Sequence, residues 1–167
     1  MNIYSLAEGA QLVKAARNAI ELYMRNPHFN KKIVEQSISH LNDQYGVFVT
    51  IESYPTKELR GCIGFPLAVG PISSSLVEAA LGAAFEDPRF VPLSLEEYGF
   101  YSGLLLPIVP VEQKWGKEQF LEETCIKAGL PTSYWKRDDV KLYKFETQIF
   151  REEEPGGRII EVKLEGL

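Results

Sequence analysis

The side chain best able to do chemistry is Cys62, a thiol between two glycines in the run Leu59-Arg60-Gly61-Cys62-Ile63-Gly64. In a strand Arg60 and Cys62 would share a face, where the guanidinium would favour the thiolate and lower the pKa of the thiol. Gly61 and Gly64 would mark a close approach by a ligand or another backbone. The run therefore predicts either a reactive Cys62 or a small buried cysteine in a tight hairpin.

A second candidate is the run Asp87-Pro88-Arg89-Phe90, which follows a predicted helix. Proline stiffens the chain, so Arg89 could be held in a fixed direction to bind an anion. An ion pair between Asp87 and Arg89 beside a buried Phe90 would explain the same residues. Both interpretations stay open at this point.

Metal, nucleotide and hydrolase chemistry lack support in the sequence. His28 and His40 are the two histidines, so a three-histidine zinc site cannot form, and their spacing is not that of a His-Glu-x-x-His helix. Glycine-rich phosphate loops and the Gly-x-Ser-x-Gly nucleophile elbow are absent. We therefore expect no metal and no cofactor, and a Cys-His pair would require the fold to bring a histidine to Cys62.

Length and composition indicate one ordinary core. The chain has 167 residues, of which 45% are hydrophobic and 25% are charged. Acidic residues outnumber basic ones 23 to 18, so the net charge of −5 has the wrong sign for tracking nucleic-acid phosphates. No apolar run reaches the roughly 18 residues of a membrane span, and the first residues lack a secretory signal. We expect a cytoplasmic protein that binds neither duplex nucleic acid nor membranes.

The spacing of the cysteines fits this compartment. Cys62 and Cys125 are far apart and form no Cys-x-x-Cys pair, which favours free thiols, although a distant disulfide between them stays open. A helix is predicted from about Lys117 to Ala128, with Gly129 as its left-handed C-terminal residue. Its apolar face holds Cys125, which we expect to be buried and inert, together with Phe120, Leu121, Thr124 and Ala128.

Three further helices are predicted, the first and the third from apolar spacing and capping patterns. The first starts at a capping box, Ser5 to Glu8, and continues to about Arg25. A second, shorter helix is predicted over the stretch Asn30 to Asn42. A third runs from about Pro71 to Phe85 and contains another capping box, Ser75 to Glu78.

The strand pattern indicates antiparallel pairing. Val47 to Ile51 and Leu59 to Phe65 form a hairpin, and the apolar run Ser102 to Pro107 favours a core strand. A terminal pair is predicted on either side of Pro155-Gly156-Gly157. Its alternating residues are Tyr143, Phe145, Thr147 and Ile149 in one strand and Ile160, Val162 and Leu164 in the other. Segregated strands and helices indicate the α+β class.

Taken in chain order, these motifs resemble the AMMECR family, which is named for the Alport syndrome, midface hypoplasia and elliptocytosis chromosomal region. The run Leu59 to Gly64 is the hallmark of that family, and the resemblance covers nearly the whole chain. The other matching segments are Gly46 to Thr50, Asp87 to Phe90, Gly103 to Pro107, Phe120-Leu121, Lys127 to Pro131 and Leu142 to Phe145.

The resemblance implies an α+β protein with antiparallel sheets flanked by helices and two unequal lobes around a cleft. It also implies association with Memo-type and radical S-adenosylmethionine proteins, the AmmeMemoRadiSam group, but it supplies no established reaction. Two functions stay open. A binding module would receive a partner protein or peptide at a surface shaped by Cys62, Gly61 and Gly64. A thiol-dependent enzyme would hold a small anionic substrate with Arg60, Arg89 and Lys127 and attack it with Cys62.

One departure from the family is large. Members carry several dozen residues between the segments matching Pro92 to Glu97 and Gly103 to Pro107, where this chain has Tyr98 to Ser102. A genuine loss of strands would expose a sheet edge and an apolar face. We therefore expect one domain over residues 1–167 whose sequence joins two pieces across a segment absent between about 97 and 102.

Overall fold

The computed structural model describes residues 3–97, 101–104, 116–142 and 146–163, with the backbone alone for 101–104. The chain divides into two compact units, which are described separately. The first comprises Met1–Leu106 and Gln148–Val162, and the second comprises Pro107–Thr147 and Lys163–Leu167. Helices and antiparallel strands occupy separate parts of the first unit, so the predicted α+β class is confirmed.

Helix α1 spans Leu6–Arg25 and begins as the sequence predicted. The Ser5 hydroxyl accepts the Glu8 N–H at 3.3 Å, and the Glu8 carboxylate accepts the Ser5 N–H at 2.7 Å. These bonds satisfy amide groups that a helix start leaves without intrahelical partners. Helix α2 spans Lys32–Ser37 and is shorter than predicted.

The described strands form one antiparallel sheet in the order β2-β1-β3-β4-β5, so β2 lies at one end. The sequence predicts a core strand at residues 102–107, and a strand is present at 102–104, where β3 pairs with β1 in the middle of the sheet. Residues 105–107 lie outside the described residues. The strands are β1 (Val47–Ser53), β2 (Leu59–Phe65), β3 (Tyr101–Leu104), β4 (Ile149–Glu152) and β5 (Ile159–Val162).

Helix α3 spans Ile72–Leu81 and continues as a π-helical turn, Gly82–Glu86. With α1 it packs on the sheet and supplies much of the hydrophobic core. The predicted capping box at Ser75 is wrong, because Pro71 starts the helix and leaves Ser75 buried in its interior. Within the described ranges, no helix is both long enough and apolar enough to cross a membrane.

The terminal strand pair is present, but its predicted alternation is wrong in detail. Ile149 and Phe150 are adjacent and both buried, because the sheet is covered on both faces at this point. Phe150 packs against Gly9 of α1, which accounts for one of those faces. Thr147 precedes β4, and the predicted positions Tyr143, Phe145 and Leu164 lie outside the described residues.

The second unit contains helix α4 (Lys117–Lys127) and a 3₁₀ turn, Tyr134–Lys136. Gly129 takes the predicted left-handed conformation with φ 72°, and Leu130 N–H bonds the Cys125 carbonyl at 2.9 Å in a Schellman cap. Cys125 is buried, as predicted. Its neighbours on the predicted apolar face are exposed at Phe120, Thr124 and Ala128, because charged residues leave too narrow an apolar stripe for burial.

Candidate functional site

The hallmark glycines in β2 allow close packing within the first unit. A Cβ atom at Gly61 would lie 2.0 Å from the carbonyl oxygen of Ala83 in the π-helical turn, and one at Gly64 would lie 2.4 Å from the carbonyl oxygen of Val47 in β1. Real Cβ atoms do not approach oxygen so closely, so a side chain at either position would displace main chain. The close approach that the sequence suggested is therefore made, at both positions, by another backbone of this chain.

Asp87 ends the π-helical turn and fastens it to β2. Its carboxylate accepts the N–H of Cys62 at 2.8 Å and the N–H of Arg89 at 3.1 Å. Arg89 donates to the same carboxylate from Nε at 2.9 Å and from Nη2 at 2.7 Å. Nη2 of Arg89 also donates to the Cys62 carbonyl at 3.3 Å. We refer to these contacts of Asp87, Arg89 and the Cys62 peptide groups as the Asp87–Arg89 clamp.

The clamp sets the charge of its members. Hydrogen bonds from the Arg89 side chain hold the pKa of Asp87 well below its usual range, against the opposing effect of burial, and backbone N–H groups add to the lowering. The same bonds raise the pKa of Arg89. The ion pair considered in the sequence analysis is therefore present, although Phe90 beside it is only half-buried.

Cys62 is half-buried and lies opposite Thr50 of β1. Its N–H and carbonyl bond the clamp, so they point away from β1 and make this a non-hydrogen-bonded pair with close side chains. The Thr50 hydroxyl donates to the Cys62 sulfur at 3.2 Å. Both cysteines are free, so the disulfide alternative is wrong.

Arg60 occupies a β-bulge, because Ile51 lies opposite Gly61 while Glu52 lies opposite Leu59. Simple alternation therefore does not assign Arg60 to the face of Cys62, contrary to the reasoning from sequence.

The Arg60 guanidinium contacts the segment that follows the clamp. Its Nη2 donates to Glu97 at 3.3 Å. Its carbon lies 5.9 Å from the centre of the Phe90 ring, and that of Arg89 lies 5.4 Å from the same centre. Phe90 thus joins the two arginines, and through the clamp Cys62, in one cluster.

The cluster differs in composition from the predicted catalytic set. Both guanidinium groups are paired with carboxylates, Asp87 and Glu97, which offsets the positive charge expected to act on the sulfur. Lys127 belongs to the second compact unit, where it is exposed on the last turn of α4. Within the described ranges, no three His, Cys, Asp or Glu residues are grouped closely enough to hold a metal ion.

Neither histidine completes a nucleophile pair in the part of the chain that the structure describes. His40 Nε2 lies 2.7 Å from Gln11 Oε1 of α1, and His28 is exposed beyond the end of α1. The Cys62 sulfur instead has a hydroxyl neighbour, which donates a hydrogen bond but has no suitable pKa to act as a general base at neutral pH.

Three participants were not predicted: Thr50, Glu97 and the link between Asp87 and the Cys62 amide. The hairpin register could have placed Thr50 opposite Cys62. Glu97 and the Asp87 link depend on contacts between distant segments, for which local sequence carries no signal.

The cluster is flanked by exposed apolar side chains. Leu59 precedes Arg60, and Val91 follows Phe90 in the chain. We call this set the hallmark surface; it comprises Leu59, Arg60, Cys62, Arg89, Phe90 and Val91.

Comparison with known families matches the chain in two stretches. The AMMECR1 family model aligns with residues 13–99 and 95–150, so the two stretches meet at 95–99. That a segment is absent near residues 97–102 stays a prediction. Measurement of the intact mass of the native protein tests it. A mass above 18.9 kDa would support it, and a mass equal to that value would show a genuine loss.

The relatives are similar over almost their full length. Protein MJ0810 of Methanocaldococcus jannaschii is 41% identical over 204 aligned positions, covering 98% of this chain and 100% of the relative. Protein PAE0745 of Pyrobaculum aerophilum is 40% identical and covers 95% and 92%. The crystal structure of uncharacterised protein PH0010 from Pyrococcus horikoshii has a TM-score of 0.87 at 34% identity, covering 95% of this chain and 98% of that one. The chain therefore belongs to the AMMECR1 family.

Proposed function

We propose that the hallmark surface binds a partner protein or peptide. The observation that carries this proposal is the exposed Arg89 guanidinium, which the clamp holds beside the half-buried Phe90 ring. Memo-type and radical S-adenosylmethionine proteins are the first candidate partners, from the family resemblance. The surface would act through shape and charge, without a chemical step.

The residue types fit this role. Arginine and aromatic side chains dominate the energetic centres of protein interfaces. A guanidinium already fixed by two bonds to Asp87 loses little rotational freedom when a partner binds. Leu59 and Val91, the chain neighbours of Arg60 and Phe90, are exposed and add apolar area to the hallmark surface.

Two buried residues, Gly61 and Asp87, support the surface instead of forming it. Gly61 lets β2 approach the π-helical turn, and the Asp87 carboxylate fastens that turn to the Cys62 amide. This frame fixes where Arg89 leaves the core. Preorganisation of this kind lowers the entropy lost on association.

A thiol-dependent enzyme acting on a small anionic substrate is the alternative. The observation that favours it is the Thr50 hydroxyl, which donates to the sulfur of the half-buried Cys62 and would orient that sulfur. Cys62→Ser separates the two functions, because a binding surface tolerates the isosteric hydroxyl and a cysteine nucleophile does not.

Calorimetric titration of the full chain with a purified Memo-type protein, and separately with a radical S-adenosylmethionine protein, tests the proposal. We expect binding to one of them, weakened roughly tenfold or more by Arg89→Ala. Arg137→Ala is the matched control, because Arg137 is an exposed arginine paired with Asp139 in the second unit. Equal effects of the two substitutions, or a loss of binding on Cys62→Ser, would contradict the proposal.

A further inference from the structure

We propose that Arg60 is a binding site for a carboxylate of the partner, and that Glu97 occupies this site until the partner's carboxylate replaces it. The inference rests on the proposed function, since it names the chemistry by which the hallmark surface would recognise its partner. Glu97 would then be an internal substitute for the ligand.

The Arg60–Glu97 contact is weaker than the clamp beside it. The bond from Arg60 Nη2 to Glu97 Oε2 is 3.3 Å long, whereas the bonds from the Arg89 side chain to Asp87 are 2.9 and 2.7 Å long. Bonds between a charged donor and a carboxylate are usually 2.7–2.9 Å long. The Glu97 contact is therefore the easier of the two to exchange.

Arg60 is more deeply buried than Glu97, and this difference favours the replacement of Glu97 by another carboxylate. The Arg60 side chain is 11% exposed, whereas that of Glu97 is 35% exposed. A largely buried cation requires negative charge nearby, and Glu97 supplies some of it in the unbound protein. A partly exposed glutamate can regain water when another carboxylate takes its place.

Local contacts keep Glu97 within reach of Arg60. The Glu97 Oε2 atom accepts the Ser94 N–H at 3.1 Å, and the Ser94 hydroxyl accepts the Glu97 N–H at 3.4 Å. These reciprocal bonds resemble those of a capping box. After exchange, the Ser94 bonds would retain Glu97 near the site.

Arg60 is already positioned for a planar ligand. The Phe90 ring lies 5.9 Å from the guanidinium carbon of Arg60 and 5.4 Å from that of Arg89. Release of Glu97 from Arg60 would leave two guanidinium groups beside one carboxylate, Asp87, and this positive charge would favour an acidic segment of the partner. A carboxylate matches the group that Arg60 already binds, and this favours it over phosphate.

The test follows the arginine Nε–H signals of the ¹⁵N-labelled full chain by NMR during titration with sodium acetate. Sodium chloride keeps the ionic strength constant, and Arg60→Lys identifies the Arg60 signal by its loss. In Glu97→Gln, we expect the Arg60 signal to reach half its shift at a roughly two- to fivefold lower acetate concentration than in the wild type, as expected for the loss of a partly exposed ion pair.

Glu96→Gln is the matched control, because Glu96 is an exposed neighbour of the same charge. We expect it to leave the acetate titration of Arg60 unchanged. Glu97→Asp keeps the charge but shortens the side chain, so it should also promote acetate binding. It provides a second reading if Glu97→Gln disturbs the fold.

Equal effects of the Glu96 and Glu97 substitutions would overturn the inference, because general charge would then explain them. An Arg60 signal that acetate does not move in either Glu97 variant would also overturn it, as would a response to inorganic phosphate alone. If acetate binds at Arg60 but no partner binding depends on Arg89, the carboxylate site is supported and the proposed function is rejected.

Discussion

Two regions of the first unit each combine a close glycine contact with a buried carboxylate that binds an arginine. In the β4 region, formed by β4 and α1, a Cβ at Gly9 would lie 2.3 Å from the Phe150 ring. Glu152 in the same region is bound by Arg17. This carboxylate and its arginine connect a strand to the helix that covers it.

In the β2 region, formed by β2 and residues 82–90, the corresponding groups are Gly61, Asp87 and Arg89. The arginines differ most: the Arg17 side chain is 16% exposed, and that of Arg89 is 54% exposed. The ion pair of the β4 region therefore lies largely inside the unit, whereas the Arg89 side chain of the β2 region is exposed to solvent. That difference supports a structural role for one pair and a recognition role for the other.

Removal of either buried carboxylate should have the largest effect on stability. Asp87→Ala removes the carboxylate that accepts the Cys62 amide and the Arg89 side chain, and Glu152→Ala removes the carboxylate that binds Arg17. We expect each substitution to lower the free energy of unfolding by about 3–5 kcal/mol in urea titrations. Asp139→Ala, at an exposed ion pair, is the control and should cause no measurable change.

Substitutions of the closely packed glycines should have the next largest effect on the free energy of unfolding. Gly61→Ala should lower the free energy of unfolding by about 1–3 kcal/mol. The new Cβ would clash with the carbonyl oxygen of Ala83, which belongs to the main chain and cannot rotate away as a side chain could. Gly9→Ala should cost less, since the higher helix propensity of alanine offsets about 1 kcal/mol of its clash with Phe150. Gly116 has open space around it, so Gly116→Ala should be tolerated. A Gly61→Ala variant as stable as the Gly116 control would refute the contact.

The pH dependence of the free energy of unfolding tests the lowered pKa of Asp87. Its pKa in the folded state lies below the ordinary value of 3.8, so its ionised form stabilises the fold. That contribution is complete above the unfolded pKa and is lost as the pH falls through the folded pKa. We expect the difference in unfolding free energy between wild type and Asp87→Asn to be constant near neutral pH and to shrink below about pH 4. A difference that grew on acidification would exclude this assignment.

The difference in reactivity between the two cysteines should be the smallest of these effects. Thiol labelling measures it and tests which of the two cysteines is accessible to solvent. Cys62 in the β2 region is half-buried, whereas Cys125 in the second unit is buried. We expect a small alkylating reagent to modify Cys62 before Cys125 in the native protein, as followed by peptide mapping. Faster modification of Cys125 would contradict its burial on α4.

The elements of both regions were predictable where local patterns determine them. The bounds of β2 follow from the β-branched run of β1 and the turn residues between the two strands, and the capping box of α1 follows from Ser-x-x-Glu spacing. The same spacing at Ser75 is misleading, because a capping box has meaning only at a helix start, and Pro71 sets that start four residues earlier.

The candidate site was predictable only in part. Sequence named Arg60, Cys62 and Arg89, but the bulge at Arg60 breaks the alternation on which the reasoning relied. The bond from the Cys62 amide to Asp87 joins a backbone group to a side chain 25 residues away. No periodic pattern records a contact of that kind.

The Asp87 carboxylate binds the amide of Cys62, which points away from β1, and thereby fixes the direction of Arg89. Amide hydrogen exchange tests it most directly, with Ile63 as the reference because its amide belongs to the ladder with β1. In the wild type we expect Cys62 to be protected, although β2 ends the described sheet. In Asp87→Ala, the exchange rate of Cys62 relative to Ile63 should rise roughly tenfold or more. An unchanged ratio, or an unprotected Cys62 amide in the wild type, would contradict the account.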